Sequence, residues 1–117
     1  SGFYDGLCWC RIVKDYVIQG GSPDNDIMTD SDWHIKGEFT ENGVNNPLKH
    51  IRGALSMARD DDFDTAGTQF FVVHKDAAKL ESGFDVLDAI ANQPTYGPET
   101  WNKPKQMPVI TKITIED

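Results

Sequence analysis

Apolar residues fall in short runs along this chain, and the first pair of runs organises the rest. Trp9–Gly21 reads Trp-Cys-Arg-Ile-Val-Lys-Asp-Tyr-Val-Ile-Gln-Gly-Gly. Two apolar runs broken at Lys14-Asp15 and closed by a glycine pair predict two short strands joined by a turn. The two-residue period of a strand puts Trp9 and Val13 on the face of Arg11, and Cys10 and Ile12 on the other. Gln19 ends the second run on the face of Val17. Thr68–Val73 (Thr-Gln-Phe-Phe-Val-Val) is a strongly apolar strand with one amide, Gln69, on the face of Phe71 and Val73. Ile51–Ala58 also has strand character, Trp33–Phe39 alternates briefly through Trp33 and Ile35, and Val109–Ile115 closes the chain as a strand with Val109, Thr111, Ile113 and Ile115 on one face. Helical spacing occurs once, over Phe84–Asn92, where Phe84, Leu87 and Ile90 form the apolar stripe and Asp85 and Asp88 the wet side. The intervening segments are polar: an acidic, turn-rich Ser22–Ser31, an Asn/Gly-rich Thr40–Lys49, an acidic Arg59–Gly67, and a Pro/Gly-punctuated Gln93–Pro108 carrying Tyr96 and Trp101. Many short strands, one helix and several loops predict a mainly-β barrel or sandwich, with residues 1–117 as a single domain.

Charge and cysteine content narrow the partners. The formal net charge is −8 over 117 residues, which disfavours nucleic acid and anionic membrane surfaces, since both are bound through basic patches. No apolar stretch approaches the roughly 20 residues of a membrane helix and no secretory signal is visible, so a cytoplasmic location is expected. Cys8 and Cys10 are the only cysteines; two apart on a strand they would strain a mutual disulfide and are expected as reduced thiols. His34, His50 and His74 stand singly, without metal-ligand spacing, so neither a metal nor another cofactor is expected. The aspartates of Ser22–Ser31 lack the calcium-loop pattern and fit a solvated loop.

Three polar side chains on apolar strands remain: Arg11, Gln19 and Gln69. An Arg–carboxylate pair and a satisfied core amide would explain them structurally; a preorganised row of donors lining a pocket would explain them functionally. Ser56, in Leu-Ser-Met, is not a hydrolase elbow, and Gly20-Gly21 is followed by neither Lys-Ser/Thr nor a helix pattern, which excludes a phosphate loop. The carboxylates lie in loops without apolar surroundings. A set with donors but neither base nor nucleophile suits electrostatic stabilisation of a reaction that breaks no bond. Rotation about an X–Pro peptide bond is such a reaction, although spacing by itself does not single it out.

Two stretches do. Phe3-Tyr4-Asp5-Gly6-Leu7…Arg11-Ile12-Val13…Val17-Ile18-Gln19-Gly20-Gly21 and Leu55-Ser56-Met57-Ala58-Arg59…Ala66-Gly67-Thr68-Gln69-Phe70-Phe71 resemble the cyclophilin family of peptidyl-prolyl cis–trans isomerases, its bacterial members in the loop between Ala58 and Gln69. The resemblance implies an antiparallel β-barrel of eight strands capped by helices, residues 84–92 supplying one. It implies Arg11 as the catalytic guanidinium and Gln19 as its hydrogen-bonding neighbour. Phe71 and Leu80 would line a proline cup, Tyr16 and Val17 standing where the family usually has Phe and Met. Gln69 and the Ala58-Arg59 backbone would hold the substrate, a proline-containing polypeptide. A catalytically weak proline-peptide binding module is the alternative.

Departures from the family pattern carry their own expectations. Cys10 replaces a His, and Lys79 replaces a residue often aromatic in eukaryotic members, which implies weak binding of the immunosuppressant cyclic peptide. The loop after Gly21, Pro23–Asp32, is acidic and glycine-free. No counterpart of the opening strand pair and first helix precedes Ser1, and Leu80-Glu81 runs directly into Ser82-Gly83-Phe84 where the family has a His-bearing cup wall and a strand. An incomplete barrel would expose strand edges, and an oligomer in which a second copy or another chain completes it is a further expectation.

Overall fold

Strands β1 (Trp9–Val13), β2 (Val17–Gly20), β3 (Leu55–Met57) and β4 (Phe70–Val73) form one antiparallel sheet in the order β1-β2-β4-β3 in the computed structural model, which describes residues 1–75 and 84–114. Helix α1, Phe84–Ala91, packs on one face. Among the described residues the sheet is open, with β1 and β3 as its edges. The antiparallel mainly-β architecture and the helix agree with the sequence; full closure into eight strands is not reached among these residues.

Register decides which side chains share a face. Arg11 pairs with Gln19, Gln19 with Phe71, and Phe71 with Ser56. Directly opposed residues point the same way, so Arg11, Gln19, Phe71 and Ser56 form a row across all four strands. Trp9 pairs with Gly20, and the register shifts between Trp9 and Arg11. This β-bulge corrects the sequence expectation that Trp9 shares the face of Arg11. One extra residue turns Trp9 over, where it packs edge-on against Phe70 at 5.5 Å between ring centres and against the core of Ile12, Ile18, Leu87 and Ala91. Each fully buried Ile or Leu there stabilises by about 1.5–3 kcal/mol.

Cys10, at the bulge, is buried, and burial pushes its thiol up to about 11. Cys8 is half-buried, and both are free thiols. Iodoacetamide at about pH 8 is therefore expected to label Cys8 and to reach Cys10 only after unfolding; equal labelling of both in the native protein, read by peptide mass, would contradict the burial.

Three other expectations change. Trp33–Phe39 makes no strand, only a bridge between Ile35 and Ala66, and Trp33 and Ile35 are both about half exposed. The Ile51–Ala58 strand shortens to β3 because residues 51–54 turn, with Gly53 at φ +84° and the Ala54 N–H donating to the Ile51 carbonyl. At the C-terminal end Val109 bridges Cys8 while Ile110 exchanges backbone hydrogen bonds with Gly6 and Leu7. Among the described residues the expected closing strand is reduced to this bridge, and it is Ile110 that is buried, with Val109 and Ile113 exposed. Ile115 lies outside the described residues.

Helix α1 is tied to the sheet by a polar cluster. Arg52 donates from Nη2 to Asp88 Oδ1 at 2.7 Å and from Nη1 to the His74 carbonyl, and His74 Nε2 donates to the same Asp88 oxygen at 3.0 Å. The Arg52 hydrogen bond, above all, holds the Asp88 carboxyl below the usual 3.8. A lowered carboxyl stabilises the fold fully above its ordinary pKa, and the contribution is lost as pH falls through the folded value. Asp88→Asn is expected to flatten the decline in urea midpoint between about pH 5 and pH 2; an unchanged slope would remove Asp88 as a source of acid lability.

Candidate functional site

The row Arg11–Gln19–Phe71–Ser56 forms the floor of an open groove. Gln19 is 8% exposed, so its amide needs partners inside the protein. Arg11 Nη1 donates to Gln19 Oε1 at 3.0 Å, Gln19 Nε2 donates to Gln69 Oε1 at 3.0 Å, and Gln69 Nε2 donates to the carbonyls of Ile27 and Thr29 at 3.2 and 3.1 Å. The far end fixes the direction of the whole relay. Backbone carbonyls only accept, so the Gln69 nitrogen must face them, its oxygen must face Gln19, and the Gln19 oxygen must face Arg11. The loop read as merely solvated is thus itself part of the site. Asp24 orders it, accepting from Thr29 Oγ1, Ser22 Oγ and the Asp26 N–H.

No carboxylate lies within ion-pair distance of Arg11 among the described residues, which overturns the Arg–carboxylate explanation. Its Nε is buried without a hydrogen-bond partner there. A guanidinium pinned at one nitrogen by an oriented amide, with further N–H groups unspent, is a preformed donor.

The groove has two lobes that share Arg11, Gln19, Ala58, Arg59, Asp60 and Thr65. The larger, about 870 Å³, also has Tyr16, Val17 and Phe71 in its lining. Val17 is 3% exposed and Tyr16 59%, so one is a wall and the other a rim. The smaller lobe, about 330 Å³, reaches Gln69, Ile27, Met28 and Trp101. Arg11, Gln19, Tyr16, Val17, Ala58, Arg59, Gln69 and Phe71 therefore line one groove; Leu80 and Lys79 lie outside the described residues. Arg59 is locked, its guanidinium 4.9 and 4.8 Å from the Phe39 and Phe63 ring centres and donating to the carbonyls of Asp60 and Asp61. The Ala58 N–H is spent on the Gln69 carbonyl.

Sequence reasoning missed Phe39, His50, Met28 and Trp101. The His50 ring lies 5.5 Å from that of Phe71 and its Nε2 is 2.9 Å from Ser56 Oγ. All four sit in loops or turns, where no periodicity signals a pocket. Ser56 did carry a signal, as the polar centre of Leu55-Ser56-Met57. No cluster of potential metal ligands occurs among the described residues, and no helix there is long and apolar enough to cross a membrane.

Comparison with known proteins gives a consistent picture. The family described as "Cyclophilin type peptidyl-prolyl cis-trans isomerase/CLD" matches residues 1–115. The chain is 40% identical over 92 aligned residues to "Peptidyl-prolyl cis-trans isomerase B" of Bacillus subtilis, an alignment covering 79% of this chain and 61% of that protein. It is 32% identical to "Peptidyl-prolyl cis-trans isomerase" of Acinetobacter baylyi, covering 99% of this chain and 68% of that protein. The chain thus spans about three fifths to two thirds of these relatives' length. A crystal structure of a cyclophilin type isomerase from Cryptosporidium parvum, determined in the presence of the dipeptide Ala-Pro, superposes with a TM-score of 0.79 at 27% identity, covering 99% of this chain and 78% of that one.

Proposed function

Because this chain belongs to the cyclophilin-type peptidyl-prolyl cis-trans isomerase family, we propose that it catalyses rotation about X–Pro bonds of proline-containing polypeptides, with Arg11 as the catalytic donor. The barrier, about 18–20 kcal/mol, is the amide resonance that delocalises the nitrogen lone pair into the carbonyl. Twisting the bond localises that pair on the prolyl nitrogen. A guanidinium N–H aimed at the nitrogen stabilises the twisted geometry more than either planar one, and only such differential binding accelerates the reaction. No proton is abstracted and no bond is made, consistent with a site holding donors but no base. A cofactor has no part in it.

The relay from Arg11 through Gln19 and Gln69 to the Ile27 and Thr29 carbonyls carries this reading. It holds the donor in place before substrate arrives, so little reorganisation is needed during rotation. Phe71 and Val17 supply the apolar contact for the pyrrolidine ring, with Tyr16 at the rim. Gln69 has both amide hydrogens committed, so its role is to orient Gln19, with the second lone pair of Oε1 left for a peptide N–H. The Ala58 carbonyl, beside the locked Arg59, is a second acceptor for the extended substrate. The reduced thiols and acidic charge fit a cytoplasmic protein.

Two-dimensional exchange NMR of an X–Pro peptide tests the proposal. Faster cis–trans exchange with the protein present is the expected result. Peptide shifts that saturate without any gain in exchange would sink the enzyme and leave a proline-peptide binding module.

A further inference from the structure

Residues 94–105 fold back on themselves. Thr95 bridges Pro104, the Tyr96 N–H donates to the Lys103 carbonyl, and the Lys105 N–H donates to the Pro94 carbonyl. The tip, Gly97–Asn102, is pinned to the outer edge of β1, where the Ile12 N–H donates to the Asn102 carbonyl at 3.0 Å. Gly97 has φ +98° and ψ −179°, a conformation open essentially to glycine alone. Trp101 and Asn102 follow with φ +57° and +55°. For tryptophan the left-handed region is unfavourable, because its Cβ crowds the following carbonyl. The tip therefore holds a large aromatic residue in a strained conformation, leaves it 55% exposed, and fixes it one residue from the strand that carries Arg11.

Met28 faces the same small lobe and is 70% exposed. The carbonyls of its neighbours Ile27 and Thr29 anchor Gln69, so this apolar side chain is placed by the catalytic relay itself. Ile27, Ala58 and Gly67 add apolar or small surface to the same lining. Polar groups also line this lobe, and most are committed elsewhere. Arg59 is stacked and hydrogen-bonded, Gln19 and Gln69 belong to the relay, and Thr65 bonds within its own loop. Arg11 keeps unspent N–H groups, and Asp60 is exposed. Asp30 is already hydrogen-bonded to His34 and Ser31.

We propose that Trp101, with Met28 in the same lining, is a specificity-determining residue that selects substrates with a bulky apolar or aromatic side chain near the proline. The inference rests on the isomerase reading for its register, with proline in the larger lobe. A lobe of about 330 Å³ is at the small end of ligand pockets and suits one side chain. An indole and a thioether in contact with it would exclude water from its flanks, and Met adapts to its shape.

The test is a set of X–Pro peptides in which each position from three before to three after the proline is varied among Gly, Leu, Phe, Lys and Glu. NMR titration gives affinity and exchange spectra give catalysis for the unmutated protein, Trp101→Asn and Trp101→Phe. Asn tolerates the left-handed backbone, and amide spectra report whether each variant is folded. At one position Leu and Phe are expected to bind about tenfold more tightly than Gly, the scale a small apolar pocket reaches. That preference should fall to less than threefold in Trp101→Asn and persist in Trp101→Phe. A preference that survives in folded Trp101→Asn, no preference at any position, or selection of Lys or Glu would overturn the proposal. Absence of catalysis on every peptide would count against the isomerase reading alone, because affinity still reports on Trp101.

Discussion

Replacing Arg11 by alanine is expected to lower the enhancement of cis–trans exchange by about 10²–10³-fold, the effect of deleting one preorganised donor from a catalytic site. The loss should appear in exchange at saturating peptide, not chiefly in affinity, because the donor acts on a geometry that the ground state does not have. Arg11→Ala leaves no orphaned carboxylate, since Arg11 has no carboxylate partner among the described residues. Its structural cost is the unpaired Gln19 Oε1, about 1–3 kcal/mol, so a folded variant can be assayed. Arg11→Lys keeps a positive charge but replaces the planar fork by a point charge on a flexible stem, and most of the loss should remain. Exchange NMR at matched occupancy decides the matter. Arg11→Ala retaining exchange within threefold of the unmutated protein would move the chemistry away from the relay.

The donor set was legible from sequence because it breaks a pattern. Arg11, Gln19 and Gln69 are polar positions inside apolar runs, and the two-residue period correctly grouped Gln19 with Val17, and Gln69 with Phe71 and Val73. Helix α1 was legible for the same kind of reason, Leu87 and Ile90 meeting the core at helical spacing, whereas Asp88, expected on the wet side, bonds Arg52 and His74. The bulge was not, because Trp9 and Cys10 are both apolar and one inserted residue leaves no mark on composition. At Val109-Ile110 the pattern was silent: when adjacent residues are both apolar, alternation cannot say which meets the core, and pairing with Gly6–Cys8 chose Ile110. The end of the relay was beyond pattern altogether. Ile27 and Thr29 act through backbone carbonyls some 40 residues from Gln69, and a carbonyl has no side-chain signature. Trp101 was named only as an aromatic in a loop, since turn residues show that a chain reverses but not what its tip will touch.

His74→Ala is expected to destabilise the fold by about 3 kcal/mol, a large part of the roughly 5–15 kcal/mol of a small domain. His74 is 5% exposed and each of its polar groups is used. Its backbone N–H donates to the Tyr16 carbonyl at 2.8 Å, its carbonyl accepts from Arg52, Nε2 donates to Asp88, and Nδ1 accepts the Asp15 N–H at 2.8 Å. The last bond fixes the tautomer, since an amide N–H can only donate. It also holds the β1–β2 turn, where Asp15 sits at φ +63°, a conformation aspartate tolerates but does not favour. Alanine would strand the Asp15 N–H and open a cavity beneath the turn. Tyr16 and Val17 follow directly, so peptide affinity should weaken along with stability. Asp15→Gly separates the causes: it keeps the backbone N–H while easing the left-handed residue, and should stabilise by up to about 1 kcal/mol. Urea melts of the two variants give opposite signs if His74 acts through that backbone bond. A loss in Asp15→Gly as large as in His74→Ala would assign the turn's stability to the aspartate side chain instead.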